Sequence, residues 1–281
     1  MTRIQTLWLT CFLVLALAIN AVAFAGVGEF FALGTSSRAL GMGNAFAALA
    51  DDEGAVLHNP STLGTFDGFG ASSVFMSQFG GVTYASVSIA AKYLGACVSL
   101  LDSGTIETNT GSLRYSSQGI VLGAGAPLGP FGLGARWRFL NVSAPTSGSG
   151  WSLDPCLTFF TRSLKLAAIL ESSLSSGMEY DSGSVEPFLA SLTVGAAATL
   201  EPVEDVDWNL VFQVDGLLTG STRFAIGLEA WIQGLGARVG YDGQGVTFGV
   251  SARFMRFQFD WAYALRGDLG GSHRAGLTLR W

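Results

Sequence analysis

The sequence predicts an all-β fold: a transmembrane antiparallel β-barrel of about 14 strands, with an N-terminal helical plug, or hatch, in or at the lumen. Three observations carry this. Hydrophobic residues make up 49% of the chain and charged ones only 13%, with 38 glycines among 281 residues, whereas a soluble domain carries about 25% charge. Beyond the first 25 residues no unbroken apolar run reaches the ~18 residues a membrane helix needs. The apolar residues alternate instead, which is how a barrel that is polar inside and apolar outside hides its hydrophobicity.

The elements follow in chain order. Residues 1–25 read as a secretory signal peptide: Arg3 gives a basic start, "LWLTCFLVLALAI" the apolar run, and Ala23-Phe24-Ala25 a cleavage site before Gly26. Removing it takes away Arg3 and leaves 14 basic against 21 acidic residues, net −7. That disfavours nucleic acid as a partner, because phosphate binding needs clustered Lys and Arg. Cys97 and Cys156 then remain, too few for a disulfide framework and without neighbouring ligands for a metal; they read as packing residues.

Residues 26–66 are the expected hatch. In "SRALGMGNAFAALADD" Met42, Ala45, Phe46 and Leu49 follow helical spacing, with Ser36 or Ser37 as cap. "NPSTLG" reads as a single turn capped by Asn59, with Pro60 first and Gly64 to end it. Gly34, Gly41 and Gly43 permit close backbone approach. A lumen about fourteen strands wide would leak unless filled, so this segment is expected inside the barrel or across its periplasmic mouth.

Residues 67–281 are the expected barrel, with strands at 67–77, 82–91, 94–102, 115–126, 130–141, 150–161, 163–173, 187–199, 206–215, 221–232, 234–241, 245–255, 256–265 and 272–281. "RFQFDWAYA" shows the pattern: Phe257, Phe259, Trp261 and Tyr263 share one face, and Arg256, Gln258, Asp260 and Ala262 the other. The polar face is poor in charge and rich in Gly, Ser and Ala, which suits a crowded lumen better than the wet face of a β-sandwich. The aromatic face suits lipid, with Trp and Tyr near the interfaces. An even count puts both barrel ends in the periplasm. The inner turns are short and several outer loops longer, among them "SGTIETNTGSLR" and "SSLSSGMEYDSGSVE". Arg136, Arg138, Arg223, Glu229, Arg238, Arg253 and Asp260 are the candidate lumen charges, to be met by Arg38, Asp51 and Asp52 of the hatch.

The hatch segment resembles the N-terminal signature of the PorV/PorQ family, related to the FadL-type long-chain fatty-acid transporters. Arg38-Ala39, Met42-Gly43, Ala45-Phe46, Ala50-Asp51-Asp52 and Asn59-Pro60 match it; Asn44 and Ser61 depart from its second Gly and its Ala. The stretch from Ala237 to Trp281, with its Gly-Asp-Leu-Gly loop and His-Arg final strand, is similar to the family's end. The terminal Trp281 resembles the signal read by the outer-membrane barrel assembly machinery. The resemblance implies a bacterial outer membrane, its lipid and that machinery as partners, and a role in passing hydrophobic small molecules. Two alternatives stay open: a type IX secretion shuttle carrying exported proteins, and a structural barrel without cargo.

Enzymatic chemistry is not expected. The mature chain has only His58 and His273, and no Gly-x-Ser-x-Gly elbow accompanies them. The two histidines are too far apart in sequence to suggest a metal site. "GAGAPLG" and "GLGAR" break the nucleotide fingerprint, so no cofactor is expected. Arg136 and Arg138 read first as lumen charges tied to the hatch, and second as binders of a substrate carboxylate.

Overall fold

The computed structural model describes residues 30, 36–78, 81–108, 111–203, 205–266 and 271–281. The expected signal peptide and Gly34 lie outside them. Sixteen β-segments follow the hatch: β1 (Phe69–Gln78), β2 (Val82–Ala91), β3 (Leu94–Thr108), β4 (Gly111–Leu128), β5 (Phe131–Ser143), β6 (Gly148–Phe160), β7 (Leu164–Glu171) and β8 (Leu174–Tyr180). Then come β9 (Val185–Glu186), β10 (Ser191–Val203), β11 (Val206–Asp215), β12 (Arg223–Ile232), β13 (Leu235–Tyr241), β14 (Val246–Phe254), β15 (Phe257–Leu265) and β16 (Gly271–Arg280). Neighbours pair antiparallel, and β1 pairs β16 from Gly70↔Arg280 to Gln78↔Ser272, closing the sheet. Closure pairs the first strand with the last, so neither is left with an open edge.

The wall has fourteen strands, because β7 and β8 are two lengths of one strand. Both run antiparallel to β6, β7 along Cys156–Phe160 and β8 along Gly148–Leu153. This corrects two expectations. The seventh strand does not end at 173, and 172–186 is not a free loop: the strand breaks at Ser172–Ser173 and resumes. The eighth wall strand starts at Ser191 rather than 187, so 187–190 carries no strand pairing. The expected loop 103–114 is also mostly strand. β3 and β4 are 15 and 18 residues long, more than the ~9–11 a membrane span requires, so their hairpin projects past the bilayer.

Alternation sorts the side chains. On β15, Gln258, Asp260, Ala262 and Ala264 are buried inward while Phe257 and Phe259 are exposed on the lipid face. Leu277 and Trp281 are also outward, and the Trp281 ring lies 5.0 Å from that of Phe69 at the periplasmic rim. Cys97 and Cys156 are buried free thiols.

Candidate functional site

The periplasmic half of the lumen is filled by residues 36–66. Helix α1 (Ser37–Gly41) is capped by Ser36, whose Oγ accepts from the Ala39 N–H at 3.1 Å. It stops after five residues, so the longer helix expected through Leu49 does not form. Gly43 and Asn44 take positive φ, 66° and 61°, and turn the chain onto the wall. There the Gly43 N–H donates to Thr247 Oγ1 (2.9 Å), and the Phe46 and Ala47 N–H groups both donate to Gln213 Oε1 (3.0 and 2.8 Å). The helical spacing of Met42, Ala45, Phe46 and Leu49 instead reports burial. These side chains pack against Cys156, Ala167, Ile169, Ala197, Val211 and Ala225 of the wall.

A short helix α2 (Ala55–His58) leads into a 3₁₀ turn over Pro60–Thr65. Fully buried Asn59 organises this turn. Its side-chain oxygen accepts from Ser61, and its Nδ2 donates to the Ala47 carbonyl and to Thr158 Oγ1, both at 2.7 Å. The turn lies directly on β4 and β5. A Cβ added at Gly125 would stand 1.9 Å from the Pro60 carbonyl oxygen, and one at Gly134 2.4 Å from the Ser61 nitrogen. Glycine at these wall positions makes room for the hatch.

Two ionic clusters bind hatch to wall. In the first, Arg38 donates through Nε and Nη2 to Glu229 (2.7 Å each) and through Nη1 to Asp51 and to Asp52 (3.1 Å). Glu229 also accepts from Arg238 Nε (2.6 Å) and Asn209 (3.1 Å), and Arg238 Nη1 reaches Ser251 (2.5 Å) and Asp260 (3.4 Å). Arg280 holds Glu53 at 2.7 and 3.0 Å. Burial works against the Arg38 charge, but Asp51, Glu229 and Asp52 outweigh it and raise its pKa. Asp52 is pushed up to about 6, chiefly by burial and further by Glu53 and Asp51, against the pull of Arg38.

In the second cluster, Arg136 donates through Nε to Asp154 (2.8 Å), through Nη2 to Glu171 (2.9 Å) and through Nη1 to the Leu57 carbonyl of α2. Arg138 donates to Ser152 and Asp154, 3.0 Å each. Both arginines thus donate to protein partners, the arrangement expected of lumen charges tied to the hatch. Beside them His58 stacks edge-on against Phe46 at 5.0 Å, and burial followed by the Arg136 and Arg274 charges pushes its pKa down to about 3.

Two expected lumen charges are placed differently. Arg223 is exposed at the outer end of β12, and Arg253 is exposed at the periplasmic mouth, its guanidinium 3.6 Å above the inward-facing Trp231 ring. Both have lumen parity, but alternation says nothing about depth along the strand. Glu53, Asp154, Glu171, Arg274 and Arg280 were missed. For Asp154, Arg274 and Arg280 the signal was present, since each shares parity with buried neighbours on its strand.

The outer half of the lumen is different in kind. Met76, Tyr84, Leu101, Leu140, Val142 and Met178 form an apolar cluster, joined by Phe30 and bordered by Tyr180 and Phe188. Met76, Tyr84 and Leu101 lie on consecutive register pairs across β1–β3, so they form one belt around the wall, and Arg274 continues it by pairing with Met76. Through Met178 of β8 this cluster reaches the wall break. At Ser172 the backbone takes φ 51°. Below it β10 pairs β7 up to Ser191↔Glu171; above it β8 has only the two-residue β9 beside it, at Met178↔Glu186 and Glu179↔Val185. Within a membrane-spanning wall, a strand edge without ladder partners is tolerated only where it lines a cavity or is covered by protein. Phe188, from the unpaired 187–190 segment, packs on the apolar cluster.

No protein-family model and no curated protein matches the sequence. The fold has clear counterparts among solved structures. The toluene transporter TodX of Pseudomonas putida aligns at TM-score 0.57 and 16% identity over 83% of this chain and 96% of its own. The toluene transporter TbuX of Ralstonia pickettii aligns at 0.58 and 13%, over 88% and 98%, and a Pseudomonas aeruginosa FadL homologue at 0.54 and 8%, also over 88% and 98%. With the closed fourteen-strand wall, these likenesses establish that the chain has the fold of the FadL-like outer-membrane β-barrels.

Proposed function

We propose that this barrel passes hydrophobic small molecules from the outer surface into the outer membrane. The carrying observation is the apolar cluster of Met76, Tyr84, Leu101, Leu140, Val142 and Met178, which fills the outer half of the lumen and reaches β8 just beyond the break at Ser172–Ser173. The periplasmic half of the lumen is packed and charged, so a hydrophobic molecule has no favourable straight route inward. Movement sideways between β8 and the 187–190 segment exchanges one apolar environment for another. The toluene transport named for TodX and TbuX supports this cargo class. The N- and C-terminal motifs support kinship with PorV/PorQ proteins, and the outward final strand ending in Trp281 supports insertion by the barrel assembly machinery.

Native mass spectrometry of protein extracted gently from its own membrane tests this. A bound amphiphile is expected, retained in Arg223→Ala and lost in Leu140→Asp. A bound polypeptide with no amphiphile overturns the reading in favour of a secretion shuttle.

A further inference from the structure

We propose that Arg136 couples the hatch to the break in the wall, so that loosening one loosens the other. The proposal deepens the transport reading by assigning a control to its exit, but its geometry and test involve no cargo. One buried guanidinium reaches three parts of the molecule. Nη1 donates to the Leu57 carbonyl at the end of α2. Nη2 donates to Glu171 (2.9 Å), the last residue of β7, whose partner Ser191 is the last rung before the break. Nε donates to Asp154 Oδ2 (2.8 Å), while Asp154 Oδ1 accepts the backbone N–H of Ser172 at 2.7 Å, so Asp154 fixes the first residue of the break. Arg138 adds a 3.3 Å bond to the Ser172 hydroxyl.

Each acceptor of Arg136 moves with a different element. If the hatch lifts, Leu57 O leaves and a buried N–H donor loses its partner, which costs free energy until the guanidinium turns to another acceptor. The acceptors within reach are Asp154 and Glu171, the groups that define the break. Turning toward either disturbs the bond that holds Ser172. The opposite wall works as a fixed anchor: Arg38 and Glu229 tie the hatch to β11–β13, where strand pairing is continuous. On the other side the hatch is held by Asn59 and Ser61 on Thr158 and by Arg136, the side chain that also holds the break. Arg136 is a positioning residue for the exit.

The test uses the Ser172 amide as reporter, since its hydrogen exchange reads the Asp154 bond directly. Arg38→Met releases the hatch from the anchor side, away from the break. Exchange should quicken at the Phe46 and Ala47 amides and, through Arg136, at Ser172 by about five- to 150-fold, the usual range of coupling between sites. In Arg136→Lys, which keeps the charge but not the three-way reach, Arg38→Met should quicken the hatch amides alone. A second arm keeps the test sound if Arg136→Lys fails to fold. Ser37 and Gly276 face each other, with a built Gly276 Cβ 3.6 Å from the Ser37 Cβ, within disulfide range. Ser37→Cys with Gly276→Cys should lock the hatch, abolish the Ser172 response in Arg38→Met, and restore it on reduction. Fast hatch exchange with Ser172 unchanged in Arg38→Met alone, or in the double-cysteine variant after reduction, overturns the coupling and leaves the transport reading intact. An equal Ser172 response with and without Arg136 overturns it as well.

Discussion

Replacing Arg38 by Met should unlatch the hatch from the barrel. Arg38 is 4% exposed and donates to three carboxylates, Glu229 twice at 2.7 Å, Asp52 at 3.1 Å, and Asp51. Removing one partner of a buried ion pair costs about 3–5 kcal/mol, because the remaining charge stays buried without compensation. Glu229 keeps Arg238 at 2.6 Å and Asn209 at 3.1 Å, and Asp51 is 43% exposed and can be solvated, so the lower end applies. About 3 kcal/mol corresponds to roughly a hundredfold shift in the hatch-release equilibrium. The readout is hydrogen exchange at the Phe46 and Ala47 amides, whose shared acceptor Gln213 belongs to the wall. In the regime where exchange reports the open population, their protection should fall about a hundredfold, while amides of β14 and β15 keep theirs. A fall of less than threefold would show that the apolar packing of Met42, Phe46 and Leu49 holds the hatch without the ionic cluster, and would refute the reasoning.

Other perturbations separate the remaining contributions. Gly125→Ala places a methyl group 1.9 Å from the Pro60 carbonyl oxygen; overpacking of this kind costs about 1–3 kcal/mol and should lower hatch protection with the barrel intact. Asn59→Ala leaves the Ala47 carbonyl and Thr158 short of a donor, at about 1–3 kcal/mol, and exchange in the 60–65 turn should rise accordingly. Two hatch groups act oppositely with pH. Asp52, raised from 3.8 to about 6, contributes its stabilisation below pH 3.8 and loses it as pH rises through 6. His58, lowered from 6.5 to about 3, contributes above pH 6.5 and loses it as pH falls toward 3. Protection factors of the Ala47 amide in Asp52→Asn should therefore show only the His58 limb, rising with pH; a profile unchanged from the parent sinks the assignment.

The sequence by itself determined that this chain closes a barrel. Side-chain direction in a strand has period two, so Phe257, Phe259, Leu277 and Trp281 announce the lipid face and Gln258, Asp260 and Thr278 the lumen without any knowledge of neighbours. The Asn59-Pro60 turn and the Ser36 cap were legible for the same local reason, and so was the hatch as something other than a strand. The helix expected through Leu49 failed because a helical spacing of apolar side chains also arises when an irregular segment is buried on all sides, and Gly43 and Asn44 bend it there.

Tertiary structure alone decided which charges meet. Arg38 and Glu229 are 191 positions apart, and their pairing depends on barrel tilt, strand register and the depth at which the hatch sits. The same dependence put Arg223 and Arg253 at the two mouths and brought Arg136 and Arg138 to Asp154. The break at Ser172–Ser173 was hidden for a related reason. Residues 172–186 read as loop because Ser, Gly and Asp weaken the alternation, yet β6 supplies a partner edge that only the closed barrel brings alongside. Strand periodicity is a property of the chain, whereas strand partnership is a property of the whole sheet.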